Sequence, residues 1–86
     1  MEKASSLPAT TAANYLRDLG YLIRENAVRV RTERDQAVGT ADYDYQRGRL
    51  MAYNEVVSLM QTQALVFGIS LEAVNLAGID PDNDLM

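Results

Sequence analysis

Two long runs of apolar residues at helical spacing, separated by a short turn that contains Gly39, most constrain how this chain can fold. The first run lies within residues 10–38 and consists of Ala12, Leu16, Leu19, Ile23, Ala27, Val30 and Ala37. The second lies within residues 42–67 and consists of Leu50, Tyr53, Val57, Met60, Ala64 and Phe67. We call these two runs the inner seams. Their spacing of threes, fours and one seven predicts one apolar face on each of two α-helices.

The connection between the two predicted helices favours an antiparallel hairpin. Gly39 is suited to end the first helix, and Thr40 or Asp42 is suited to begin the next. A turn this short brings consecutive helices back side by side. One register then places the inner seams against each other over their whole length, from Leu16 opposite Ala64 to Val30 opposite Leu50. The sequence therefore predicts an all-α fold built on a two-helix hairpin.

Three parts are expected along the chain. Residues 1–8 form a flexible N-terminal arm, residues 9–79 form the hairpin domain, and residues 80–86 form an acidic tail. Within the domain, Gly68 ends the second helix, and Ser70 caps a short third helix from Leu71 to about Ala77. Gly78 is suited to stop that third helix.

The second helix carries a further apolar stripe that its hairpin partner cannot cover. This outer seam consists of Ala52, Val56, Leu59 and Val66, with Arg49 in line with it. Two helices of about 28 residues, roughly 42 Å long, also enclose little volume. We therefore expect the outer seam to be the interface of a homo-oligomer, a dimer or larger, such as a four-helix bundle. A monomer capped by the short third helix is the alternative.

Composition argues against catalysis and against bound metals or cofactors. The chain contains no Cys and no His, which are common nucleophiles, bases and metal ligands. Asp80, Asp82 and Asp84 match the first ligands of a calcium loop, but the glycine and the final glutamate of that loop are missing. We therefore expect no catalytic residue, no cofactor and no metal site. Asn54 and Glu55 are assigned to the polar side of the second helix.

Arginines on the first helix are the most informative polar feature. Arg17, Arg24 and Arg31 are seven residues apart, and Arg34 lies beside them. Such a face can bind phosphates of a polyanion, can bind an acidic protein partner or the acidic tail, or can be solvated and paired.

The net charge of −4 argues against bulk attraction to nucleic acid or to an anionic membrane. The longest apolar stretch, residues 64–69, is too short to span a bilayer, so we expect a cytoplasmic protein.

Two stretches resemble segments of small uncharacterised bacterial proteins with a helical hairpin. They are Gly48–Ala64 with Phe67-Gly-Ile69, and Gly78-Ile-Asp-Pro-Asp-Asn-Asp-Leu85. The resemblance implies no function. In architecture alone, the hairpin is also similar to a plasmid family of RNA-binding hairpin dimers.

The leading hypothesis is a non-enzymatic, oligomeric interaction or adaptor protein with an unidentified protein partner. The alternative is a nucleic-acid-associated hairpin dimer that uses the arginine face.

Overall fold

Two long antiparallel helices dominate the computed structural model, which describes residues 9–86. Helix α1 spans Ala9–Gln36 and helix α2 spans Tyr43–Val66. A single 3₁₀ turn follows at Glu72–Val74, and a short helix α3 spans Pro81–Asp84. Residues 9–86 contain no β-strand. The predicted all-α hairpin is confirmed, and its helix ends lie close to the expected positions. The predicted N-terminal arm, residues 1–8, lies outside the described residues.

The hairpin turn is closed by one threonine side chain. Gly39 adopts a left-handed conformation with φ of 82°, which lets the chain leave α1 sharply. The Thr40 hydroxyl donates to the carbonyl oxygen of Ala37 at 2.7 Å and accepts from the Asp42 N–H at 3.2 Å. Thr40 therefore links the end of α1 to the start of α2, whereas the Asp42 side chain makes no capping hydrogen bond.

The end of α2 redirects the chain back along the hairpin. Gly68 has φ of 71°, and its N–H donates to the carbonyl oxygen of Leu65 at 3.1 Å. The N–H of Ile69 donates to the carbonyl oxygen of Ala64 at 2.7 Å. These two bonds form a Schellman motif, which satisfies the last carbonyls of the helix and fixes the direction in which the next residues leave it.

Residues 69–86, which we call the C-terminal segment, differ from the sequence prediction. The expected helix from Leu71 to Ala77 is reduced to one 3₁₀ turn because Asn75 adopts a left-handed conformation with φ of 59°. The expected acidic tail instead contains α3, which begins with Pro81 in its first turn. A short C-terminal helix is therefore present, but it lies further along the chain than predicted.

The C-terminal segment packs against the hairpin and completes its core. It provides four of the buried core residues, while α1 and α2 provide the rest. The core consists of Ala27, Val30, Leu50, Val57, Ala64, Val74, Leu76, Ile79 and Leu85. The middle of each inner seam is thus buried as predicted. At the open end of the hairpin, by contrast, Leu16 and Phe67 are exposed rather than packed into this core.

The molecule is long and flat. Its principal dimensions are 53 × 24 × 16 Å and its radius of gyration is 15.5 Å, against about 12 Å for a compact chain of this length. The C-terminal segment reaches side chains of both helices, so it lies along the groove between them. One side of the hairpin is therefore covered within a single chain, as in the monomeric alternative, while the outer seam stays uncovered.

Candidate interaction surfaces

Two of the four arginines singled out on α1 bind the C-terminal segment. The Arg24 guanidinium donates to the main-chain oxygens of Asn75, at 3.1 Å, and of Ala77. Arg34 donates to the main-chain oxygen of Met86 at 2.7 Å and to the carboxylate of Asp35 at 2.7 Å. Arg24 and Arg34 therefore hold main-chain oxygens of the C-terminal segment rather than its aspartate and glutamate side chains.

The other two arginines have different surroundings. Arg17 donates to the side-chain oxygen of Asn14, and its main-chain oxygen accepts from the Asn75 amide at 3.1 Å. Arg31 is exposed. Of the alternatives left open for this face, pairing within the chain describes Arg24 and Arg34, which bond to oxygens of the C-terminal segment.

Two amide side chains on α2 hold the C-terminal segment from the opposite side. The Asn54 amide donates to the main-chain oxygen of Pro81 at 2.7 Å, and Asn54 is only 9% exposed. The Gln61 amide donates to the main-chain oxygens of Leu76, at 3.0 Å, and of Ile79, at 2.8 Å. The assignment of Asn54 to the polar side of the helix is therefore wrong.

A signal for these two amides was present in the sequence. Asn54 follows Leu50 by four residues and precedes Val57 by three, and Gln61 follows Val57 by four. Both therefore share the face of α2 that carries the buried apolar residues. An amide in phase with a buried stripe needs a hydrogen-bond partner, because a buried polar group without one is costly. That partner is the main chain of the C-terminal segment.

Gly20 allows the 3₁₀ turn to approach α1 closely. A Cβ atom at position 20 would lie 1.7 Å from the main-chain oxygen of Val74, which is far inside van der Waals contact. Any other residue would push the turn away from the helix. In the sequence alone, Gly20 is a glycine that interrupts a helical pattern, and no signal there indicates this contact.

The aspartates near the end of the chain stabilise their own short helix. Asp80 accepts from the N–H of Asp82 at 3.1 Å and from the Asn83 amide at 2.7 Å. The Asp84 carboxylate accepts from the N–H of Asp80 at 2.8 Å. Asp80 therefore caps the start of α3, and the Asp84 side chain bonds back to the main chain of Asp80. Across residues 9–86, no cluster of three or more acidic, His or Cys side chains is arranged to hold a metal ion.

The outer seam of α2 is a continuous exposed surface. Leu59 is 64% exposed, Val66 is 69% exposed, and Ala52 and Val56 are exposed as well. The stripe follows a seven-residue repeat over the length of the helix. One set of positions is Tyr45, Ala52, Leu59 and Val66, and the other is Arg49, Val56 and Gln63. This is the a/d pattern of helices that pack side by side.

Arg49 lies within that surface but is already neutralised. Its guanidinium donates to the Glu33 carboxylate at 2.7 Å and to the Gln46 side-chain oxygen at 2.9 Å. The same group lies 5.9 Å from the centroid of the Tyr45 ring. The charge is therefore held against α1 and an aromatic ring, so the outer seam has no unpaired charge along its middle.

An apolar cleft of about 220 Å³ opens near the outer seam, at the open end of the hairpin. Its lining residues are Leu16, Met60, Gln63, Ala64, Phe67, Ile69 and Val74. The exposed ends of the two inner seams line this cleft, and Gln63 connects it to the outer seam. The apolar surface of α2 therefore extends around the end of the helix.

No helix within residues 9–86 combines the length and apolarity that a bilayer crossing requires. Comparisons with protein-family models, with curated proteins and with solved structures found no match to this chain.

Proposed function

We propose that this protein is a non-enzymatic helical interaction protein that self-associates through the outer seam of α2. The observation that supports the proposal is the exposed apolar repeat on α2, in a chain whose own C-terminal segment already fills the other side of the hairpin. Apolar surface of this extent is typical of an interaction site. Burying each larger side chain of the seam contributes about 1.5–3 kcal/mol.

The chemistry of the polar groups supports an interaction role over a catalytic one. Four side chains with strong hydrogen-bonding capacity are used within the fold: Arg24, Asn54 and Gln61 hold main-chain oxygens, and Asp80 caps α3. The proposal assigns these groups to structure and assigns the outer seam to binding.

Light scattering at micromolar concentration tests the proposal. The wild-type protein is expected to have a mass of two chains or more. Leu59→Arg places a charge in the seam and is expected to give a single-chain mass with its helix content preserved, because burying an unpaired charge is strongly unfavourable. Thr32→Arg adds the same charge at an exposed position on α1 and is expected to leave the mass unchanged. A single-chain mass for the wild type would contradict the proposal, as would an associated Leu59→Arg variant.

Nucleic-acid binding through the arginine face is the weaker alternative. Arg24 and Arg34 bond to oxygens of the C-terminal segment, so this function would depend on Arg17 and Arg31. The two functions are separated by a mobility-shift measurement with RNA and DNA at low salt. A shift that is lost in an Arg17→Ala, Arg31→Ala double variant would favour the alternative.

A further inference from the structure

We infer that the outer seam binds a second copy of this chain with the two α2 helices antiparallel and with Val56 of each copy packed against Leu59 of the other. This inference rests on the proposed function and specifies the partner and its orientation. Its basis is the seven-residue repeat, which places the outer-seam residues Ala52, Val56, Leu59 and Val66 on one stripe of α2. Two such stripes pack by inserting the side chains of one helix between those of the other.

Residue size fits this register. With the pairing centred between positions 56 and 59, the small Ala52 lies opposite Gln63 of the second copy. Arg49 then lies opposite Val66 of the second copy, where its aliphatic stem can cover apolar surface while its charged end stays with Glu33. Large and small side chains therefore alternate across the contact.

Charge favours the antiparallel orientation over the parallel one. In a parallel pair with two-fold symmetry, each seam residue meets its own copy, so Arg49 would face Arg49 and Gln63 would face Gln63. Each Arg49 is already bonded to Glu33 of its own chain, but the two guanidiniums would have no acidic partner across the contact and would crowd each other, which selects against that pairing. The antiparallel register instead separates the two Arg49 residues by roughly 25 Å, at 1.5 Å per residue. It also sets the two helix dipoles in opposite directions.

The proposed contact runs along most of α2. In this register it extends from Arg49 to Val66, roughly 25 Å at 1.5 Å per residue. The product is a four-helix bundle in which both C-terminal segments lie on the outside.

Cysteine cross-linking tests the orientation directly, because the natural chain contains no cysteine. Ala52→Cys and Gln63→Cys are prepared as separate full-length proteins, and both positions are exposed within the single chain. Each is oxidised alone and in an equal mixture that has been allowed to exchange subunits. The antiparallel register predicts a mixed disulfide dimer that forms at least tenfold faster than either self-linked dimer. Thr32→Cys, on α1, is the control, and it is expected to cross-link with neither of the other two variants.

The other outcomes are distinct from one another. Self-linking of Ala52→Cys as fast as mixed linking would overturn the antiparallel orientation and indicate a parallel one. A mass of two chains without cross-links at either position would overturn the assignment of this face. A single-chain mass by light scattering would contradict the proposed function itself, and the inference with it.

Discussion

At the scale of single residues, Gly20 is the glycine with the least space for a side chain, because the main chain of the 3₁₀ turn lies where its Cβ would be. We expect Gly20→Ala to lower the free energy of unfolding by about 2 kcal/mol or more, because the new Cβ overlaps the Val74 main-chain oxygen and displaces the 3₁₀ turn. Gly48→Ala is the control, since nothing lies within 4 Å of a Cβ there. It is expected to raise the same free energy by about 0.5–1 kcal/mol, because alanine favours the helix. Urea unfolding at matched protein concentration measures both, and a stabilising Gly20→Ala would contradict the close approach.

The buried amide of Asn54 is a second test of how the C-terminal segment is held. Asn54→Ala removes one donor to the main-chain oxygen of Pro81, which keeps only its bond from the Leu85 N–H. We expect the free energy of unfolding to fall by about 0.5–1.5 kcal/mol, the usual net contribution of one hydrogen bond. Glu55→Ala, at the neighbouring exposed position, is expected to change it by less than about 0.5 kcal/mol. Equal effects of the two substitutions, measured by urea unfolding, would show that the hydrogen bond from the Asn54 side chain to Pro81 does not stabilise the fold.

At the scale of elements, the attachment of the C-terminal segment depends on main-chain oxygens and apolar burial rather than on net charge. Leu85 is fully buried, and Arg24 and Gln61 bond to main-chain oxygens. Exposed ion pairs usually contribute at most about 1 kcal/mol each. We therefore expect the negative charge of the segment to contribute less to its docking than the apolar burial and the bonds to its main-chain oxygens.

Substitutions at two aspartates separate the contribution of helix capping to stability from the contribution of negative charge. Asp80→Ala and Asp82→Ala each remove one negative charge, but only Asp80 accepts hydrogen bonds at the start of α3. We expect Asp80→Ala to cost about 1 kcal/mol of stability and Asp82→Ala to have little effect. Thermal unfolding followed by circular dichroism compares them. The same decrease in both variants would indicate that charge attraction holds the segment.

Helices α1 and α2 could be predicted from the sequence because a periodic apolar stripe is a local and redundant signal. The outer seam is visible in the sequence for the same reason. The path of the C-terminal segment could not be predicted, because some of its contacts join residues more than 50 positions apart, such as Arg24 and Ala77. The phase of Asn54 and Gln61 indicates that they face the core, but it does not show which main-chain oxygens they bind. Asn54 and Gly20 acquire their roles only when that segment is in place.

For the molecule as a whole, self-association links stability to protein concentration. If two copies bury the outer seam, the melting temperature is expected to rise with total protein concentration, because dilution favours dissociation. The Leu59→Arg variant is expected to melt at a temperature that does not depend on concentration. Differential scanning calorimetry at several concentrations measures both. A wild-type melting temperature that stays constant across them would argue against association through this face.

The position of residues 69–86 after both long helices sets an order of events during synthesis. A ribosome completes α1 and α2 before it makes the residues that fill the groove between them. Until then the hairpin has an open channel, with Leu50, Val57 and Gln61 facing solvent in place of the contacts they later make. The hairpin turn is local and forms early, whereas contacts such as that of Arg24 with Ala77 close a loop of more than 50 residues and form late. A nascent chain interrupted before Pro81 and Leu85 would therefore expose apolar surface on two sides of the hairpin.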